Sequence, residues 1–266
     1  MKQTGVIDIS DWRNLCYCAA RTDEVFKDFR SQPLYLGVVE GVTPELGGKY
    51  LEMILNDYDF KIRDEMWSAL LRNDSLGDPP RYVYDFGNGT ICSSALTLRY
   101  IKVFCDLVSL FDFDKIQTVA EIGIGFGGQC RIVMNFLPNL RYNLIDLIDL
   151  PEVILLAERF LTELDQTGDI RYIDGTHLYN DVPCDLVISN YAFAELTRET
   201  QKFYIEKVIS NSKAGYMTWN RSELLRNGWN DGYEVEEILA MIPGSKAIPE
   251  NPPAFYDDCI IVWGTK

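Results

Sequence analysis

The pattern of apolar and polar residues changes near residue 115. Before it, helix-like segments are separated by glycine- and proline-rich breaks, and Ser94 is placed to cap a helix running to about Phe111. After it, short apolar runs alternate with helical periodicity. The predicted strands are 118–122, 141–146, 170–173, 184–189, 215–219 and 259–263. The predicted helices are 129–137, 151–164, 199–210 and 233–241. Strands alternating with helices predict an α/β fold with a doubly wound, mostly parallel sheet.

The same change divides the chain into two predicted regions. Residues 1–115 are expected to form a mainly helical region that covers the substrate, and residues 116–266 a cofactor-binding domain. Hydrophobic residues make up 47% of the chain, which suits a globular protein. The 40 acidic residues outnumber the 25 basic ones, for a net charge of −15. This balance argues against a nucleic acid or an anionic membrane as the partner.

Nothing in the sequence indicates export or membrane insertion. Asp8, Asp11 and Arg13 interrupt any secretory apolar core. The most apolar long stretch, 144–156, carries three acids, and a membrane span needs about 20 mostly apolar residues. The seven cysteines lack the paired spacing of a zinc site. We therefore expect a cytoplasmic protein with reduced cysteines, and a homo-oligomer is compatible with the sequence.

The clearest chemical motif is a glycine-rich loop, Glu121-Ile-Gly123-Ile-Gly125-Phe-Gly127-Gly128, between a predicted strand and helix. Glycines allow close approach of a ligand, and free N–H groups at a helix start favour an anion. The spacing fits the dinucleotide fingerprint, so NAD is one candidate cofactor. S-adenosylmethionine (SAM) is the other. Glu121 favours SAM, because a carboxylate suits an ammonium and a sulfonium but would repel a pyrophosphate.

Acidic residues follow the next two predicted strands. Asp146 ends the second strand and is the preferred acceptor of hydrogen bonds from the ribose hydroxyls. Asp149, three residues later, either shares that role or caps the following helix. Asp174 ends the third strand, where it either accepts a bond from the adenine amino group or forms an Asx turn before Gly175.

Several segments together resemble the class I SAM-dependent methyltransferases and, more narrowly, sugar O-methyltransferases of bacterial glycan and glycosylated-natural-product pathways. The segments are 94–100, 121–128, 136–142, 146–152 and 190–196. The resemblance covers roughly residues 80–220 and implies a Rossmann-like sheet of seven strands, with the cofactor across the carboxyl ends of the first strands. The sequence differs from the family pattern in one place, because the acid that normally ends the second strand is duplicated as Asp146 and Asp149.

The resemblance also implies cofactor contacts. Gly123, Gly125 and Gly127 would line the methionine and ribose of SAM. We also count Gly175 and Asn190 among the predicted cofactor-binding residues. A further residue, Arg99, is predicted either to line the acceptor pocket or to pair with the SAM carboxylate.

Methyl transfer to a hydroxyl usually needs a general base. Glu195 is the first candidate, because it follows the fourth strand, and related small-molecule O-methyltransferases take their base from that segment. His177, the single histidine, is the second candidate, although it follows Asp174 near the expected adenine site. Asp149, Asp181 and Asp185 could supply carboxylates to a divalent metal, but no spacing singles them out, and no metal is predicted.

The sequence therefore predicts a SAM-dependent O-methyltransferase that acts on a sugar hydroxyl in glycan biosynthesis or a related pathway. The acceptor would be a nucleotide sugar, a glycan intermediate or a glycosylated natural product. Two alternatives remain open: an NAD-dependent oxidoreductase, and a catalytically inactive methyltransferase-like binding protein.

Overall fold

The N-terminal region consists mainly of helices, as the sequence predicts. The computed structural model of the protein describes residues 9–59, 61–86, 89–136, 145–166, 168–220, 232–254 and 258–266. The helices of this region are α1 (Ile9–Arg21), α2 (Asp23–Phe26), α3 (Pro33–Val38), α4 (Pro44–Asn56), α5 (Asp64–Leu70) and α6 (Ala95–Leu110). An antiparallel hairpin that was not predicted, β1 (Tyr82–Asp85) and β2 (Thr90–Ser93), precedes α6. Ser94 caps α6, where its hydroxyl accepts from the Thr97 amide at 3.1 Å.

The rest of the described chain alternates strands and helices. The strands are β3 (Val119–Ile122), β4 (Ile145–Asp149), β5 (Ile170–Asp174), β6 (Cys184–Asn190), β7 (Ser212–Trp219), β8 (Lys246–Pro249) and β9 (Cys259–Trp263). The helices are α7 (Gly128–Phe136), α8 (Pro151–Glu163), α9 (Arg198–Lys207) and α10 (Val235–Met241). The strands form one seven-stranded sheet in the order β5-β4-β3-β6-β7-β9-β8. Strands β3 to β7 are parallel, which confirms the doubly wound α/β prediction.

The sheet departs from the sequence prediction at two strands. The second core strand, predicted to end at Asp146, continues to Asp149, and its predicted residues 141–144 lie outside the described part of the chain. The short edge strand β8 was not predicted. It pairs antiparallel with β9, which itself runs antiparallel to β7. Strand β9, the last strand in the chain, therefore lies between β7 and β8 in the sheet. This arrangement distinguishes the sheet from the dinucleotide-binding order 3-2-1-4-5-6.

The N-terminal helices pack directly on the glycine-rich loop between β3 and α7. Phe126 of the loop is fully buried and contacts the rings of Phe29, Tyr35 and Phe160, with centroid distances of 6.3, 6.5 and 4.7 Å. The buried Arg30 guanidinium lies 4.4 Å from the centroid of the same ring. One hydrophobic core therefore runs from the N-terminal helices into the sheet domain. None of the helices in the described ranges is long and apolar enough to cross a membrane.

Candidate active site

The glycine-rich loop turns sharply at the carboxyl end of β3. Gly123, Gly125 and Gly127 have φ angles of +75°, +53° and +83°, which side chains other than glycine rarely adopt. A Cβ on Gly123 would lie only 1.9 Å from the Cβ of Ala192. The loop is therefore held against the segment that follows β6. This places the three predicted glycines at the carboxyl edge of the sheet, where ligands bind in open α/β folds.

Asp149, and not Asp146, stands at the carboxyl end of the second core strand. Its two carboxylate oxygens accept from the backbone amides of Ile124 at 2.8 Å and Leu150 at 2.7 Å. Burial raises the pKa of Asp149 to about 6, although these amide bonds work in the opposite direction. The carboxyl therefore joins β4 to the glycine-rich loop at the place expected for a ribose.

The prediction that the second core strand ends at Asp146 is wrong. Asp146 lies three residues inside β4 and is 2% exposed. Both of its oxygens are bonded to Arg171 on β5, at 2.6 and 2.7 Å. This bidentate pair holds the Asp146 carboxylate toward the neighbouring strand β5, away from the strand end.

Glu121 is the most unusual ionisable group of the site. It is 3% exposed, is the last residue but one of β3, and neighbours Leu147 of β4 and Ile188 of β6 in the sheet register. Burial raises its pKa to about 8, and the nearby charge of Asp149 adds to the effect. A buried acid that resists ionisation is stabilised in its charged form by a cation. The ammonium and sulfonium of SAM supply such charge.

Asp174, Gly175 and His177 lie together at the end of β5, on the far side of β4 from the loop. Asp174 accepts from the Thr176 amide at 2.9 Å and from the Thr176 hydroxyl at 2.6 Å, which is the Asx turn considered from the sequence. His177 is exposed, with Nδ1 3.0 Å from the other Asp174 oxygen. Gly175 is buried under Tyr204, whose hydroxyl donates to its carbonyl at 3.2 Å. The adenine role of Asp174 stays a prediction.

Glu195 lies in the short 3-10 helix Ala192–Glu195, directly after β6. The residue is exposed, and one carboxylate oxygen accepts from Asn220 Nδ2 at 3.2 Å. The surrounding protein desolvates the carboxyl and raises its pKa, while the Asn220 bond and the charge of Arg99 lower it. The two candidate bases are far apart, because β4 and β3 separate β5 from β6, a distance of roughly 14 Å at the usual strand spacing.

Arg99 and Tyr191 form the wall next to Glu195. The Arg99 Cζ lies 4.8 Å from the centroid of the Tyr191 ring. Tyr191 has a φ of +66°, a strained conformation for a residue with a side chain, and its hydroxyl donates to the buried Glu250. Backbone strain of this kind is concentrated at functional sites. The structure thus places Arg99 on the β6 side of the site, beside Glu195 and Tyr191.

Several buried polar atoms at this edge have no hydrogen-bond partner among the residues that the structure describes. They are Arg99 Nε, Asn190 Nδ2, Asn220 Oδ1 and the Tyr50 hydroxyl, which lies beside the Tyr191 hydroxyl. Buried polar groups are nearly always paired, so unpaired ones at one edge of a sheet indicate a ligand that pairs with them. Together with Glu121 and the glycine-rich loop, these atoms fit a polar cofactor and a polar acceptor.

Sequence reasoning missed Asn220, Tyr50 and the Tyr191–Glu250 pair. A signal for Asn220 was available, because it directly follows β7 just as Asn190 ends the neighbouring β6. Tyr50 lies on α4 and Glu250 directly follows β8, and no local sequence pattern predicts that either residue is part of the site. No cluster of three or more metal-ligating side chains occurs among the described residues.

Comparisons with known proteins indicate a domain type for part of the chain. Residues 92–215 match the family model of the O-methyltransferase domain. None of the curated proteins matches the sequence. This domain match carries the cofactor prediction, because an O-methyltransferase domain takes its methyl group from SAM. The narrower sugar O-methyltransferase prediction is not decided by the match.

Solved structures with a similar fold are distant. An O-methyltransferase family protein from Burkholderia thailandensis is 13% identical, with 56% of this chain and 51% of that chain covered and a TM-score of 0.44. The mitomycin 7-O-methyltransferase MmcR is 16% identical, with 63% and 56% covered and a TM-score of 0.44. A SAM-dependent methyltransferase from Clostridium acetobutylicum is 11% identical, with 62% and 88% covered and a TM-score of 0.45.

This chain spans little more than half the length of the first two proteins, and likeness at these TM-scores carries no argument about activity. The order of the sheet and the domain match do not depend on it. Residues 92–215 match the O-methyltransferase domain within a doubly wound α/β fold, and the cofactor that this match indicates is S-adenosylmethionine.

Proposed function

We propose that the protein is an O-methyltransferase that transfers the methyl group of SAM to a sugar hydroxyl. The observation that carries the proposal is the position of Glu195. Glu195 is an exposed residue whose carboxyl accepts a hydrogen bond from Asn220 beyond the carboxyl end of β6, and β6 lies next to β3, the strand that leads into the glycine-rich loop. A base therefore stands one strand away from the loop that would hold the cofactor.

The cofactor would lie across the carboxyl ends of β3, β4 and β5. Glu121 would face its positive charges, and Gly123, Gly125 and Gly127 would line its methionine and ribose. Asp149 takes the place of Asp146 as the proposed ribose partner. Asp174, Gly175 and Asn190 would complete the contacts. When bound, SAM supplies an electrophilic methyl group on a positively charged sulfur.

Glu195 would accept the proton of the acceptor hydroxyl as that oxygen takes up the methyl group. The raised pKa of its carboxyl suits this role, because a base is most effective when its pKa is near the working pH. Asn220 would hold the carboxyl in position through its amide donor at 3.2 Å. No catalytic role is proposed for His177, which follows the end of β5.

The acceptor is proposed to be a small molecule or a glycan rather than a nucleic acid. The net charge of −15 disfavours a polyanion. Aromatic rings and amide groups at this edge, from Tyr50, Tyr191, Asn190 and Asn220, suit the apolar face and hydroxyl groups of a sugar. A nucleotide sugar is the least favoured acceptor, because its anionic diphosphate needs basic side chains to bind it. Arg81, a candidate for that role, is exposed, and its Nη2 already lies 3.8 Å from an Asp78 oxygen.

The experiment is the Glu195→Gln variant, compared with Glu199→Gln, which makes the same chemical change at an exposed position in the first turn of α9. Release of S-adenosylhomocysteine (SAH) from SAM is measured with a panel of sugars, sugar acids and glycosides. Glu195→Gln should lower kcat by about 10²–10⁴ and leave SAH affinity within about twofold, while Glu199→Gln should behave as wild type. Unchanged turnover in Glu195→Gln would remove this residue from the role of base.

A further inference from the structure

The Arg99 guanidinium is not hydrogen-bonded to a carboxylate in the part of the chain that the structure describes. Its Nε is fully buried and has no hydrogen-bond acceptor. In the described ranges, Arg99 forms no ion pair within 4.0 Å, and its closest defined contact is the ring of Tyr191. An arginine presents five N–H donors in a fixed plane, and a buried donor without an acceptor is costly. The unpaired Nε therefore favours an anion as a ligand of this partly exposed side chain.

Two further donors stand beside Arg99. The Tyr50 hydroxyl on α4 is buried and lies near both Arg99 and the Tyr191 hydroxyl. The Asn190 amide, at the end of β6 and next to Tyr191, has a buried Nδ2 that finds no acceptor among the described residues. A guanidinium with a hydroxyl and an amide donor is the donor set that binds an oxyanion.

The surroundings favour an anion with one charge. Glu195 and Glu250 both lie near Arg99, and the charges of both interact with it. Their negative field opposes a doubly charged phosphate more strongly than a carboxylate. The planar carboxylate also matches the guanidinium, because two parallel N–H···O bonds can form between them.

We propose that the methyl acceptor is a hydroxy acid, and for a sugar acceptor a uronic acid, whose carboxylate binds Arg99 and Tyr50 while its hydroxyl lies at Glu195. The inference rests on the proposed function. It assigns Arg99 to the acceptor and not to the carboxylate of SAM. The position of Arg99 beside Glu195, on the β6 side of the site, is the observation that separates these two assignments.

The test uses the full chain saturated with SAH and calorimetric titration with three probes that share one ring. D-galacturonate carries the carboxylate, D-galactose is neutral, and D-galactose 1-phosphate carries the doubly charged group. We expect galacturonate to bind at least tenfold more tightly than either of the others. Equal binding of galacturonate and galactose, absence of galacturonate binding, or tighter binding of the phosphate would each overturn the proposal.

A second arm separates the two assignments of Arg99. Arg99→Gln should weaken galacturonate binding at least tenfold and leave SAH affinity within twofold. Arg63→Gln removes the same charge from an exposed position and should change neither. Loss of SAH binding in Arg99→Gln, with galacturonate still preferred over galactose, would return Arg99 to the cofactor. If the unmodified protein does not bind SAH at all, the proposed function itself fails, which is a distinguishable result.

Discussion

Ionisation of Glu121 should control both stability and cofactor binding. Its pKa in the folded protein is about 8, against an ordinary 4.5, mainly because the carboxyl is buried. The folded state therefore holds a proton that the unfolded state has lost between these two values, and its stability falls as pH rises through this window. At about 1.4 kcal/mol per tenfold change in proton affinity, this one group costs the cofactor-free protein roughly 5 kcal/mol above pH 8. Glu121→Gln, which cannot ionise, should not pay this cost.

Urea unfolding of both proteins at a series of pH values measures this difference. The two free energies of unfolding should be similar near pH 5 and diverge steadily towards pH 8, with the variant more stable. Binding of the positively charged SAM favours the ionised carboxylate, so at pH 7 it should release about 0.9 proton from wild type and almost none from the variant. Calorimetry in two buffers of different ionisation enthalpy measures the released proton. Parallel pH profiles, or equal proton release from both proteins, would refute this account of Glu121.

Three further predictions concern the loop and its surroundings. Gly123→Ala should lose at least about 2 kcal/mol more stability in urea than Gly244→Ala, because both have φ near +75° but only Gly123 is in close contact; equal losses would contradict this. Asp149→Asn should weaken SAH binding at least about tenfold in calorimetry, and Asp146→Asn less than about twofold; the reverse order would restore the first ribose assignment. His177→Ala should keep kcat within about twofold, and a loss of about a hundredfold would place this residue in the chemistry.

The fold could be predicted wherever local pattern and position agree. The change from helical segments to alternating strands and helices, the Ser94 cap of α6 and the glycine-rich turn all depend on nearby residues. The edge strand β8 is four residues long and contains a lysine and a proline, so only its pairing with β9 makes it a strand. The position of β8 in the sheet could not be predicted from the local pattern of apolar and polar residues.

The site was predicted less completely, because long-range contacts decide it. Asp146 looked like the end of a strand, since a charged residue interrupts an apolar run. In the structure Arg171 of β5 pairs with it, so the strand continues to Asp149. The partner of Glu195 comes from the residue after β7, and that of Arg99 from the segment after β6. The sequence could indicate which residues have side chains suited to binding or catalysis, but not which of these side chains contact one another in the fold.

The central claim is that this fold holds SAM and not a dinucleotide. Calorimetric titration of the unmodified protein with SAH, and separately with NADH, tests it most directly. SAH should bind with micromolar affinity and NADH should give no binding signal. Binding of NADH in the micromolar range without binding of SAH would contradict the account.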